Sequence, residues 1–475
     1  MMKTVDESKT ISVTNDRYRL KYHVMTPFGW MNDPNGFSYS NGYYHLFYQY
    51  NPYSAEWGPM HWGHYRSRDL VHWEQLPIAL VPGDPEDANG CYSGCSIAKD
   101  GRLYLMYTGH NLLKPDDPDH YREVQNIAYS DDGVHFTKYE DNPVIATPPE
   151  DNTQDFRDPK IWQHDGHYYV ILGSRGKDGL GRVLVYRSDD LLHWEYRGPI
   201  AKSDGEKTQG HMWECPDFFE LNGKDVLLFS PQGIEATEKQ YLNLHQTGYF
   251  VGDMDYEANR FTHGDFSEID HGHDFYATQT TQSPDGRRIL IGWMDMWESA
   301  MPEQEDGWAG ALTIPRELTL RDGHVYMNPA RELKELRQAT VLDESTEVRL
   351  ERLNLPDPQH VELLVEGELA NWQGHRFEVM LATESGLLIS LSYDKDSGEL
   401  VLDRPDKGDD AKRFGTVKRS DTLKLQIFID TSSVEFFVND GETVFTERYF
   451  TEQKPTIELK ADAELPMHLT AYTLG

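Results

Sequence analysis

Three short motifs place a carboxylate beside a proline: Trp30-Met-Asn-Asp-Pro-Asn-Gly36, Phe156-Arg-Asp-Pro159 and Trp213-Glu-Cys-Pro-Asp217. In the first, Asn32 and Asp33 precede Pro and Asn-Gly, residues that turn the chain sharply and present polar side chains. Cleavage of a glycosidic bond needs two carboxyl groups, one to protonate the departing oxygen and another to attack or to activate water. Asp33, Asp158 and Glu214 offer that pair and a third. Crowding acids together separates their proton affinities, because neighbouring negative charge and aromatic walls raise one pKa until that group stays protonated near neutrality. Glu214, with the longer reach, is the natural proton donor. Each motif alone reads first as a capped turn or a salt-bridged acid, so the set has meaning only if the fold brings the three together.

The surrounding elements are repeated. Ser67-Arg-Asp-Leu-Val-His-Trp73, Ser130-Asp-Asp-Gly-Val-His-Phe136 and Ser188-Asp-Asp-Leu-Leu-His-Trp194 share a polar turn followed by an apolar residue, His and an aromatic, and start 63 and 58 residues apart. Each follows strand-like text, as in Tyr43–Tyr48, Leu103–Tyr107 and Tyr168–Leu172. A looser fourth copy runs from Val226 to Phe261, and Arg288–Trp293 with Leu312–Leu320 makes a fifth. Radial repetition buries such four-stranded units economically, since each covers its neighbour's face. The expected fold is therefore all-β: a five-bladed propeller over residues 1–328, a short helical linker over 329–340 and an antiparallel β-sandwich over 341–475. The linker rests on Pro329–Ala339, which opens with a first-turn proline. The sandwich rests on apolar/polar alternation from Val361 to Thr473, with turns at Asp394–Gly398 and Asn439–Gly441. In a propeller the first strands of the blades converge on one end of the central channel, where the three acids would meet.

Composition narrows the function. The chain has 475 residues, 80 acidic and 45 basic, for a formal charge of −35. No broad cationic face is available for a nucleic acid. No apolar run approaches a membrane span and the N-terminal text is polar, so the expectation is a cytoplasmic protein without a membrane partner. Cys91, Cys95 and Cys215 lack a zinc-type spacing and are too few for a disulfide framework, so they read as reduced thiols.

Six motifs in order, WMNDPNG, FYQYNP (Phe47–Pro52), WGPMHWGH (Trp57–His64), YSGC (Tyr92–Cys95), FRDP and WECPD, resemble the β-fructofuranosidase family of invertases, fructan hydrolases and sucrose-6-phosphate hydrolases, most nearly the intracellular bacterial sucrose-6-phosphate hydrolase type. Asp430–Gly441 is similar to a recurrent stretch of that family's C-terminal sandwich. The resemblance implies a retaining hydrolase that releases fructose from sucrose, sucrose 6-phosphate or short fructo-oligosaccharides. It implies Asp33 as the nucleophile forming a covalent fructosyl intermediate, Asp158 as the holder of fructose hydroxyls and stabiliser of the oxocarbenium-like transition state, and Glu214 as acid and then base. A retaining pair should stand about 5–5.5 Å apart. The implied fructose pocket comprises Asn32, Gln49, Trp57, Tyr92, Ser93, Arg157, Tyr276 and Trp293. Amides and Arg suit hydroxyls and aromatic rings suit sugar C–H faces, although Trp57 and Trp293 could equally be core residues. Tyr92 and Cys95 depart from the family's common residues, which reads as a variation in the pocket wall.

Two other readings stay open: an inverting five-bladed-propeller glycosidase acting on arabinan or xylan, and a non-catalytic sugar-binding propeller. No cofactor or metal is expected. His61 and His64 lack further metal ligands, the stretch His271, His273 and Asp274 reads as positioning Tyr276, and the blade-turn histidines read as structural. A phosphate on the leaving group would need a local basic cluster. Arg175, Lys177, Arg182, His61 and His64 are candidates. The sandwich could also cover a neighbour's active-site mouth in a homo-oligomer.

Overall fold

The computed structural model describes residues 3–475. Five antiparallel four-stranded blades form a ring. Blade I is Gly29–Ser40, Tyr43–Asn51, His61–Ser67 and Trp73–Leu80; blade II is Gly90–Lys99, Arg102–Leu112, Tyr121–Ser130 and Thr137–Lys138. Blade III is Asn152–His164, His167–Gly176, Gly181–Ser188 and Glu195–Lys202; blade IV is Met212–Leu221, Lys224–Gln232, Gly248–Asp255 and Arg260–His263. Blade V is Tyr276–Gln282, Arg288–Trp293, Arg316–Arg321 and His324–Pro329. Apolar seams lie between blades, for instance Phe47, Trp62, Leu105 and Tyr107 between I and II, and Ile171, Val183, Trp213 and Phe229 between III and IV. The ring closes where Trp308–Ala309, between the second and third strands of blade V, pairs in parallel with Gly29–Trp30 of blade I.

The repeated turn motif joins the third and fourth strands of blades I, II and III. Its Asp caps the turn: Asp190 accepts from the backbone N–H groups of Leu192 and His193, and its other oxygen pairs with His193 Nδ1 at 2.7 Å. Asp69 with His72 and Asp132 with His135 repeat this arrangement. The fourth motif position is left-handed in all three copies, with φ of 66° at Leu70, 71° at Gly133 and 77° at Leu191. The two leucines tolerate it because their side chains are buried between blades.

The connecting helix is shorter than the sequence suggests. Pro329 ends a strand, a 3₁₀ turn spans Arg331–Leu336, and Arg337 already begins the strand Arg337–Leu353. Leu333 and Leu336 are buried as the spacing predicts, but pairing of Arg337–Leu353 with the C-terminal strand overrides local helix preference. The sandwich is one continuous sheet folded over its core. Strand Thr456–Leu474 is long enough to pair with Arg376–Thr383 through its first half and with Val361–Glu368 through its second. Asn439 and Asp440 adopt positive φ (48° and 59°) in the expected hairpin turn.

Buried charges join propeller and sandwich. Arg316 of blade V reaches Asp270 at 2.8 Å and Glu435 of the sandwich at 2.5 Å. His23 lies between Asp430 and Glu435, 2.8 Å from each. The stretch His271–Asp274 belongs to this seam: His273 pairs with Glu447 and Asp274 with Arg404. Among the described residues no helix is long and apolar enough to cross a membrane.

Candidate active site

Every blade carries a β-bulge at the same level of its first strand. The register slips between Met31 and Pro34 in blade I, Cys91 and Gly94 in II, and across Asp158-Pro159 in III. It slips again between Glu214 and Asp217 in IV and between Tyr276 and Gln279 in V. A bulge turns side chains out of the alternating pattern and leaves a residue without a ladder bond, which is where a strand admits proline. That explains the sequence motifs: Pro34, Pro159 and Pro216 sit at or beside the slips that aim the neighbouring carboxylates. Asp158, Cys215 and Ala277 take left-handed φ of 61°, 48° and 51°, a strain that the packed ring holds in place.

The bulges of blades I to IV face one cavity of about 690 Å³, and Asp33, Asp158 and Glu214 all line it. Asp33 accepts from Ser93 Oγ at 2.6 Å and from Asn32 Nδ2 at 3.0 Å, while Trp30 Nε1 holds Asn32 at 2.7 Å. Asp158 accepts the Cys215 backbone N–H at 2.9 Å. The Cys215 thiol lies 3.6 Å from Asp33 and 3.7 Å from Asp158, so it stands between the two. Glu214 accepts from Arg157 Nη2 at 2.9 Å on one oxygen, and from Tyr276 Oη at 2.6 Å and Gln232 Nε2 at 2.8 Å on the other. Arg157 also reaches Asp155 at 3.1 Å and Glu123 at 3.4 Å.

These contacts divide the protons. Burial, reinforced by the charge of Glu214 and opposed by the Ser93 hydrogen bond, pushes Asp33 up to about 6. Burial and the charges of Glu214 and Asp33, only partly offset by Arg157, push Asp158 up to about 8. Burial also disfavours the Glu214 anion, but Arg157 and the Tyr276 hydroxyl outweigh it and hold that carboxyl below its ordinary value. The sequence places the raised acid at the glutamate; in the sugar-free site it is Asp158, because Arg157 is clamped to Glu214.

Of the other expected pocket residues, Asn32, Gln49, Trp57, Tyr92, Ser93 and Arg157 line the cavity. Trp57 is 50 % exposed at the rim. Tyr276 and Trp293 do not line it: Tyr276 is buried behind Glu214, and Trp293 is a core residue packed against Trp30 and Trp297. Cys95 is likewise no wall residue. It packs in the seam between blades II and III, and its sulfur accepts the Ile161 N–H. Tyr92 alone varies the wall, stacked on His110 with ring centroids 4.3 Å apart. His61 is bound to the Pro59 carbonyl and His64 to His45, both buried.

Sequence reading missed His110, Tyr121, Glu123, Gln232, His245, Trp297 and Glu298 of the wall. Most lie on second and third strands or the loops after them, away from the bulges, and only Gln232 adjoins a proline. Trp297, four residues beyond Trp293, is the one with a visible aromatic signal. Among the described residues, no group of three or more His, Cys, Asp or Glu side chains is placed to hold a metal ion.

A propeller whose first strands deliver three carboxyl groups to one cavity is built as a glycoside hydrolase. The family models agree: residues 23–329 match the glycosyl hydrolases family 32 N-terminal domain and residues 332–472 the family 32 C-terminal domain, and the chain belongs to that family. It is 42 % identical over 445 residues to a sucrose-6-phosphate hydrolase of Zymomonas mobilis, covering 89 % of this chain and 84 % of the relative. It is 41 % identical over 436 residues to a raffinose invertase of Escherichia coli, covering 91 % and 89 %. A Bombyx mori family 32 beta-fructofuranosidase variant in complex with sucrose superposes with a TM-score of 0.87 at 41 % identity, covering 97 % of this chain and 95 % of that one.

Proposed function

We propose that this chain hydrolyses β-D-fructofuranosides with retention at the anomeric carbon, taking sucrose, sucrose 6-phosphate or short fructo-oligosaccharides. The observation that carries the reading is the meeting of Asp33, Asp158 and Glu214 in one cavity, with the Cys215 thiol between Asp33 and Asp158 and Arg157 bound to Glu214. Asp33, ionised above about 6, attacks the ketose anomeric carbon while Glu214 gives its proton to the departing oxygen. The carbon–oxygen bond breaks, leaving fructose esterified to Asp33. Glu214 then takes a proton from water, the water oxygen attacks the same carbon, and Asp33 leaves as a carboxylate. Asp158 accepts fructose hydroxyls and stabilises the positive charge of both transition states.

Near neutrality the free site holds one proton among the three acids, mainly on Asp158. Catalysis needs the same count with the proton on Glu214. Sugar hydroxyls donating to Asp158 favour its anion and send the proton there. We place the reaction in the cytoplasm, a reading supported by three free cysteines and by the charge that keeps a phosphorylated sugar inside a cell.

The test is hydrolysis of sucrose and sucrose 6-phosphate by purified Asp33→Asn and Glu214→Gln, both expected to lose about a thousandfold or more in kcat. Proton NMR of the first-formed fructose distinguishes retention from an inverting pair. Undiminished turnover in either variant ends the assignment.

A further inference from the structure

We infer that Arg175, His211 and His245 form a binding site for a phosphate monoester on the leaving sugar. The inference rests on the fructosidase reading for which side of the cavity the leaving group occupies. Glu214 marks that side, and its partner Gln232 organises the cluster. Gln232 Nε2 holds Glu214 at 2.8 Å, its carbonyl accepts the His211 N–H at 2.8 Å, and its backbone bridges to His245. Arg175 sits opposite Gly181 in blade III, and the Gly181 N–H reaches the carbonyl of Gly210, the residue before His211. These backbone links bring Arg175, His211 and His245 to the same stretch of the III–IV seam, near enough for the charges of Arg175 and His245 to act on His211. His245 lines the cavity itself.

The other candidate cations are occupied or remote. Arg182 is paired with Asp151 and Asp178, Lys177 is exposed, and His61 and His64 are buried against backbone and histidine partners. Arg175 is half-buried and has no carboxylate partner among the described residues, in a chain with 35 more acidic than basic side chains. A guanidinium left unpaired in so acidic a protein suits an incoming dianion. The histidines are poised in the same sense. Burial, Arg175 and His245 keep His211 below its ordinary pKa, with Glu206 opposing, and burial keeps His245 down against the pull of Glu214. Both are neutral until a phosphate supplies compensating charge. Glu206, 4.0 Å from His211 and largely exposed, stands at the edge of the cluster, and Asp155 also acts on His211 and Glu298 on His245.

Calorimetric titration with glucose 6-phosphate and with glucose tests the site without requiring turnover. Wild type should bind the phosphate ester at least tenfold more tightly than glucose, Arg175→Gln should lose that preference, and Arg175→Lys should keep part of it. If Arg175→Gln does not fold, His211→Gln is read the same way. Binding of glucose 6-phosphate no tighter than glucose, or equally tight in wild type and the folded variant, overturns the site. Kinetics give the parallel readout: the ratio of kcat/KM for sucrose 6-phosphate to that for sucrose should fall at least tenfold in Arg175→Gln. A wild type that cleaves neither sugar ends the fructosidase reading, while the titration still scores the phosphate site.

Discussion

At the scale of the residue, the site is a problem of one proton among three acids, and its solution is visible in a pH profile. With Asp33 at about 6 and Asp158 at about 8, acid below about 6 protonates the nucleophile, and base above about 8 removes the last proton that Glu214 could donate. The kcat/KM of the free enzyme should therefore be bell-shaped, with limbs near 6 and 8 that belong to the coupled set rather than to single residues. Tyr276 is a positioning residue here, since its hydroxyl favours the Glu214 anion at 2.6 Å. A hydrogen bond to a charged group is worth about 1.5–3 kcal/mol, so Tyr276→Phe should let the site hold its proton more tightly and move the basic limb up by about one unit. A lower kcat with an unmoved limb would reduce Tyr276 to packing. The acids were legible because each stands within two residues of a proline. Their proton order was not, because Arg157 and Glu214 are 57 residues apart in the chain and nothing local pairs them.

At the scale of the element, the bulge is the device that converts a strand into a site. Gly173 shows how tightly it is set. Gly173 pairs with Arg157 across the blade III bulge, and a Cβ there would stand 2.1 Å from the carbonyl of Trp213, the neighbour of Glu214. Gly173→Ala must push the seam apart. Overpacking of this kind destabilises by about 1–3 kcal/mol, and activity should fall by more than the unfolded fraction explains, because Arg157 and Glu214 lie on opposite sides of the seam. Asp190→Ala, which removes a turn cap at the outer end of blade III, should lose about 1 kcal/mol in thermal unfolding and leave kcat unchanged. Equal losses of activity in the two variants would detach the bulge from the site. The repeated turns announced three blades through Ser67, Ser130 and Ser188, since capping needs Asp and His at fixed offsets. The five bulges were not announced as such. A register slip depends on the partner strand, and in blades II and V no proline marks it.

At the scale of the whole molecule, the joint between the domains is a buried charge network. Asp430–Gly441 read from sequence as one more sandwich stretch, yet its Asp430 and Glu435 hold His23 and Arg316 of the other domain. Those partners lie more than a hundred residues away, so no local pattern could reveal them. Burial disfavours the His23 cation, but two carboxylates at 2.8 Å overcome that and push its pKa up to about 9 from an ordinary 6.5. The folded-state value is raised, so the stabilisation is fully present below about 6.5 and is lost as pH rises through about 9. Thermal unfolding should show a Tm that falls over that window in wild type and much less in His23→Gln. The network is buried, so added salt should change it little. Arg316→Met strands Asp270 without its cation and leaves Glu435 to His23 alone, a loss of about 3–5 kcal/mol, and it falls on the joint rather than on either core. The variant should therefore unfold in two steps, sandwich and propeller apart, where wild type unfolds in one. A single transition in Arg316→Met, shifted but undivided, would mean that the apolar contacts across the seam couple the domains without help from the charges.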